Sequence, residues 1–400
     1  MKKITFVIPS RNNLEFLKLA YDSIRKLGRE NFNGMGYAKT EHEILILDDA
    51  STDGTSEWIK ELNDPDLITY VNEGPERIGI VGMFDKGIEM AKTDIIFAFH
   101  ADMIAAPNLD VHVLEHLKKG TVVSATRVEP PLHPDGPEKV LMDFGIEVDE
   151  FDYNKFSKWA NKEYKPKHDK LVTEGIFAPW CMYKEDYLAV GGHDELFAPQ
   201  SKEDSDLFNR FILKGYKVLQ TWEGLVYHFT SRGSRFNKHA GGAAGKNSQE
   251  WIYTTTKNMR NFIRKWGTMV RHDRLMKPII APKYDIGFII NNGNSNILAG
   301  LEPWCSTIYI DSNLIKSYVE IEKENTIIDL YNRVKPLDNE KNNEILVTID
   351  AKKFTEQDFN YIQQLPDILA DSGEPAFHGE LGNITVEIFE NMNTFEKELI

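Results

Sequence analysis

The chain has 400 residues, 41% of them hydrophobic, more than one core usually serves, which predicts a large domain with a smaller companion. Its net charge of -15 argues against general nucleic-acid binding. No apolar run reaches the roughly eighteen residues of a membrane helix, and Met1-Lys2-Lys3 leads into a strand rather than a signal-peptide core, so a soluble, cytoplasmic protein without a transmembrane segment is expected. Taking the elements in chain order, Ile4 to Ile8 is β-branched and apolar and ends at Pro9-Ser10, a strand that stops in a loop. Asn12 or Asn13 should cap a helix whose Leu14, Leu17, Tyr21 and Ile24 recur at helical spacing. "EILILDDASTDGT" reads as a strand, two aspartates and a turn, followed by a helix through Trp58, Ile59 and Leu62. Leu67 to Val71 is a third strand, Val81 to Met90 a helix, and Asp94 to Phe99 a fourth strand that runs into His100-Ala101-Asp102. Strands alternating with helices predict a mainly parallel, doubly wound sheet, whose ligands bind in the crevice at the carboxyl ends of the strands.

Beyond Met103 the pattern loosens. Thr121 to Ala125 is a strand, "EPPLHPDGPEK" a Pro-rich loop, and 247–266 a helix with Trp251, Met259, Phe262 and Trp266 on one side and Lys257, Arg260 and Arg264 on another. Between His228 and Lys283 stand twelve Lys or Arg against two acidic residues. That basic island is a candidate anion site or membrane-surface contact, with a core-packed helix and a wet basic face as the favoured reading. From Ile279 a new α/β rhythm begins with "IGFII", "TIYI", "ILVTI" and "ITVEI". Cys181 and Cys305, far apart and without a Cys-x-x-Cys pair, indicate buried thiols rather than a disulfide framework or structural zinc.

Several constellations could carry chemistry, each with a plainer alternative. Asp48 and Asp49, at a strand end, can accept hydrogen bonds from a nucleobase or ribose while one of them holds the loop; the plain alternative is turn chemistry before a helix. His100 and Asp102 can bind a divalent cation that neutralises a diphosphate leaving group; imidazole ligation would favour Mn²⁺ over Mg²⁺. A hydrogen-bonded histidine and a helix cap are the alternatives. Glu203 and Asp204, at the amino end of an amphipathic helix, offer a general base toward a hydroxyl, or simply complement the helix dipole. His228 is a further candidate metal ligand, Arg232, Arg235 and Lys238 could fold over phosphates, and Trp180 could stack on a sugar ring. A core histidine, a solvated basic loop and a core tryptophan are their alternatives.

Taken in order, "VIPSRNN", "ILILDDASTDGT", "KGIEMAKTDIIFAFHADM", "GGHDELF" and "KEDSDLFNRFILKGYKV" resemble the GT-A-fold glycosyltransferases of family 2 over about the first 240 residues. The resemblance implies a GT-A fold, Rossmann-like with a mainly parallel doubly wound sheet, at 1–240; the residues beyond it read as a basic helical linker at 241–278 and a smaller α/β domain of unassigned role at 279–400. It implies transfer of a sugar from a nucleoside-diphosphate sugar to a hydroxyl acceptor such as a glycan, with inversion. Asp49 and Asp48 would bind the nucleoside, with Pro9, Arg11 and Arg77 around it. Asp102 would bind the metal with His228, Asp204 would be the base, and Glu203 would shape the acceptor site. His100 and Ala101 stand where the family's Asp-x-Asp motif begins, so His100 replaces its first aspartate and is the third, least supported metal candidate. The competing functions are a sugar nucleotidylyltransferase, disfavoured because "PSRNN" lacks a Gly-rich phosphate loop, and a non-catalytic sugar- or nucleotide-binding protein descended from a transferase.

Overall fold

The computed structural model describes residues 2–27, 41–372 and 377–395. The chain divides into two compact units, Met1–Thr255 with His272–Ile279, and Thr256–Arg271 with Ile280–Ile400.

The sheet of the first unit runs, from one edge to the other, Leu67–Asn72, Glu43–Asp49, Thr5–Ser10, Ile95–Ala98, Trp180–Tyr183, Thr121–Glu129, Lys217–His228 and Met103–Ala105. Its first four strands are parallel. Ile44 to Leu47 are fully buried, as expected of parallel strands covered by helices on both faces. The helix Gly79–Met90 lies close against this layer: a Cβ at Gly87 would come within 2.5 Å of Val7 Cγ1 and 2.8 Å of Leu47 Cδ1, so only glycine fits. Register then gathers the chemistry. Ser10 pairs with Asp48 and Val7 with Ala98, which brings the loops "RNN", "ASTDGT" and "HAD" to one end of the sheet.

Trp180–Tyr183 is antiparallel to both its neighbours, Ile95–Ala98 and Thr121–Glu129. Lys217–His228 runs parallel to Thr121–Glu129, with a register shift between Thr221 and Leu225, and antiparallel to Met103–Ala105. His228 thereby pairs with Met103, one residue from Asp102. The expected α/β fold with a mainly parallel sheet is present; the inserted antiparallel strand and the length of Lys217–His228 come from tertiary pairing.

The second unit has a six-stranded sheet in the order Val334–Pro336, Thr307–Ile310, Ile286–Asn291, Ile345–Asp350, Ile384–Ile388, Phe377–Leu381. The first four strands are parallel and the last two antiparallel. All four strands read from the sequence are here. The expected wet basic face is not. The Arg264 guanidinium is fully buried, donating to Glu302 at 2.6 Å and Glu322 at 2.5 Å, and Arg260 donates to Glu322 at 2.8 Å. These arginines are committed within the unit, because buried carboxylates on neighbouring elements need cationic partners. Among the described residues no helix is long and apolar enough to cross a membrane.

Candidate functional site

At the carboxyl ends of the strands lies a pocket of about 210 Å³. Its walls are Pro9 and Arg11 from the first loop, His100, Ala101 and Asp102 after the fourth strand, Glu203 and Asp204 from the start of a helix, and His228 with Ser231. Residues as far apart as Pro9 and His228 thus meet because three loops leave aligned parallel strands and the long strand Lys217–His228 returns beside them.

Asp102 is buried, and its Oδ2 accepts a hydrogen bond from the Arg232 amide at 2.6 Å. His228 Nε2 stands 3.7 Å from the same oxygen, while its Nδ1 donates to Glu129 Oε1 at 2.8 Å. The buried carboxylate of Glu129 also accepts from Arg127 at 2.8 Å and Lys139 at 2.9 Å. Burial works to raise the Glu129 pKa, but Arg127, His228 and Lys139 more than reverse it, so the group stays ionised. A carboxylate on one ring nitrogen fixes the tautomer and leaves the other nitrogen an acceptor, here approached by the Ser231 amide at 3.4 Å; such support is usual for a metal-binding histidine. One Asp102 oxygen and His228 Nε2 therefore fit a divalent cation. His100 lines the same pocket and packs on Phe84, ring centroids 5.8 Å apart, with burial holding its pKa below the ordinary histidine value. It does not close a three-ligand set with Asp102 and His228: among the described residues, the group with ligand atoms mutually within 4.8 Å is His112, Glu115 and Glu223.

Glu203 and Asp204 open the helix Glu203–Leu213. Ser201 and Lys202 just before it have left-handed backbone, φ 77° and 75°, as do Thr230 and Ser231 just after His228, φ 70° and 59°. Non-glycine residues held this way cost about 1–3 kcal/mol each and cluster where function demands them. Glu203 is buried, its Oε2 has no hydrogen-bond partner among the described residues, and burial, followed by the nearby Asp204 charge, pushes its pKa up to about 8. Ser10 Oγ, Arg11 Nη1 and Asn13 Nδ2, on other pocket residues, are likewise buried without partners among the described residues. Buried polar groups left unmatched together on one pocket wall point to a polar ligand.

The remaining candidates stand apart from this pocket's lining. Asp49 is the loop holder: its carboxylate accepts from Asn72 Nδ2 at 2.9 Å and from the amides of Ile78 and Gly79 at 2.8 Å each. Asp48 is fully buried, accepts from Ser56 Oγ at 2.5 Å, and its Oδ1 has no hydrogen-bond partner among the described residues, with burial raising its pKa. Arg77 pairs with Glu250 beside Arg11 and Gln200. Arg235 donates to Asn247 at 2.7 Å and covers the Trp251 ring. Two readings need correction. Trp180 is 1% exposed, packed on Tyr187 and Phe211 in the core, because its strand lies inside the sheet; it presents no face to a sugar. Arg232 is turned from the pocket, its guanidinium on the Ile146 carbonyl and Glu147, and only its amide meets Asp102. The cap of the helix Leu14–Arg25 also differs: Asn13 makes no side-chain cap bond, and Asp53 accepts the Leu14 amide at 2.9 Å. Sequence reasoning missed Glu129, an unremarkable residue at the end of an apolar strand.

Residues 5–179 match the family described as Glycosyl transferase family 2, and residues 174–236 match Chondroitin N-acetylgalactosaminyltransferase. Over residues 5–179 the chain is thus similar to the family 2 glycosyltransferases. A relative from Methanococcus voltae, dolichyl N-acetyl-alpha-D-glucosaminyl phosphate 3-beta-D-2,3-diacetamido-2,3-dideoxy-beta-D-glucuronosyltransferase, is 35% identical over 107 residues, 25% of this chain and 30% of that protein. The chain thus spans less than a third of that relative's length. Among solved structures, GalNAc-T7 with UDP, GalNAc and Mn²⁺ is 12% identical, covering 67% of this chain and 51% of the other at a TM-score of 0.43. A mannosyltransferase, PcManGT from Pyrobaculum calidifontis with GDP-Man and Mn²⁺, is 17% identical over 66% and 63% at 0.42.

Proposed function

We propose that the protein is a metal-dependent glycosyltransferase that moves a sugar from a nucleoside-diphosphate sugar to a hydroxyl acceptor, a glycan in the first instance, by single displacement with inversion. The observation that carries this reading is the convergence of Arg11, Asp102, His228, Glu203 and Asp204 on one pocket with unmatched buried polar atoms. Asp102 and His228 would hold the cation, Mn²⁺ before Mg²⁺ because a nitrogen donor takes part, and Glu129 would keep His228 oriented. Such an ion would offset the charge gathering on the diphosphate as it departs. Arg11, whose Nη1 has no hydrogen-bond partner among the described residues, suits the phosphates. Asp48, whose buried Oδ1 has no hydrogen-bond partner among the described residues, suits the nucleoside better than Asp49, which holds the loop.

In the transfer itself Asp204 takes the proton of the acceptor hydroxyl. The acceptor's oxygen bonds to the anomeric carbon from the side opposite the diphosphate, and the bond from that carbon to the diphosphate breaks, the electron pair leaving with the diphosphate. Glu203 is held protonated to near neutral pH, so it can donate a hydrogen bond where Asp204 accepts one. Sugar nucleotides screened with and without Mn²⁺ should yield one that is bound and turned over only with metal. Asp204→Asn should then lower turnover by about 10²–10⁴-fold, with donor affinity by calorimetry unchanged. Near-normal turnover in that variant, or no metal-dependent binding of any sugar nucleotide, would overturn the reading.

A further inference from the structure

Arg232 faces two ways. Its amide meets Asp102 at 2.6 Å, while its side chain lines a second, larger cleft of about 820 Å³. Asn13 lines both spaces. The cleft is walled by the first turn of the helix Leu14–Arg25, by the turn Val148–Glu150, and by residues 236–239. Its volume falls within the range of about 300–1,000 Å³ common to ligand sites.

The wall carries buried donors without acceptors. The Arg232 side chain is 1% exposed and its Nε has no hydrogen-bond partner among the described residues; neither has Nδ2 of the buried Asn13. Groups left so want oxygen atoms from a ligand. Phe16, under the Arg232 guanidinium at 5.6 Å, adds an apolar face. Charge excludes an anion: Glu15, Asp53, Glu147, Asp149 and Glu150 line the cleft, and its cations Arg232 and Lys238 already sit on Glu147, at 3.3 and 3.2 Å.

The geometry points to this cleft as the acceptor subsite, taking an uncharged, polyhydroxylated saccharide whose reactive hydroxyl reaches the Asp204 pocket past Asn13. This rests on the glycosyltransferase reading and adds the place and class of the acceptor. The test is a glycan array of uncharged, uronic and sulfated saccharides probed with the full chain, with Val148→Trp and with Asp149→Trp. Asp149 is exposed, so its variant keeps the fold if the other does not. A sugar-nucleotide titration with Mn²⁺ runs on the same preparations. The result expected is binding of uncharged glycans by the unaltered protein, reduced at least tenfold by filling the cleft. Binding confined to acidic glycans, no glycan binding at all, or undiminished binding by a folded cleft-filled variant would overturn it. Glycan binding by a protein that takes no sugar nucleotide would instead refute the transferase reading and leave the saccharide cleft standing.

Discussion

Glu203 shows how burial converts an ordinary carboxylate into a group with a task. Its ordinary value of 4.5 moves up to about 8 through desolvation first and the Asp204 charge second. Between those values the folded chain holds a proton that the unfolded chain has released, so this group makes stability fall as pH rises through that window. Glu203→Gln, which stays neutral in both states, should flatten that fall; melting temperatures between about pH 5 and pH 9 would measure it, and an unaltered slope would refute the assignment. Asp102 and Asp204 are singled out by type at recognisable places in ordered motifs, His228 stands in a less specified stretch, and all three line one pocket. Glu129 was not, since it acts on His228 from 99 positions away in sequence. Trp180 was misplaced for a related reason: periodicity says that a residue is on a strand, and only the neighbouring strands decide whether that strand is inside the sheet.

Elements explain why the paired aspartates divide their labour. Asp49 accepts two backbone amides at the entry of the helix Gly79–Met90, and Gly79 has φ 88° with the Pro199 backbone 2.6 Å from where a Cβ would stand. The Ile80 amide donates to the Pro199 carbonyl at 2.8 Å. The strand end at Asp49 is thereby tied through the helix entry to the segment that leads to Glu203 and Asp204. Asp49→Ala leaves those amides unmatched and should lower unfolding free energy by about 3 kcal/mol. Denaturant titration would measure it, and a loss below about 1 kcal/mol would contradict the role. The strand-and-helix alternation of residues 4–99 could be read from hydrophobic period alone. The antiparallel Trp180–Tyr183 could not, because its partners Ile95–Ala98 and Thr121–Glu129 lie far away in sequence.

At the scale of the whole molecule, both units bury paired charges, Glu129 with Arg127 and Lys139 in the first and glutamates with arginines in the second. The second unit includes a buried charge network: Glu302, fully buried, accepts from Arg264, Arg333 at 2.8 Å and Tyr318 at 2.8 Å. Burial works to raise the Glu302 pKa, yet Arg264 and Arg333 bring it down to about 2. Arg264→Met takes the shortest guanidinium contact from the buried Glu302, leaving it Arg333 and Tyr318, and should lower the stability of the unit by about 3 kcal/mol. Calorimetric unfolding would measure this, and a neutral result would show the network to be replaceable packing. By itself the sequence determined the α/β class, the order of the strands in the first hundred residues, the rhythm of the second unit, and the residue types that chemistry of this kind requires. Those depend on local period and on motifs a few residues long. Tertiary structure alone decided which carboxylate of a doublet holds a loop, which arginine is spent on a buried glutamate, and that Glu129 stands behind His228. Each of these depends on pairings between residues distant in the chain, and burial sets their electrostatics only once those pairings are made.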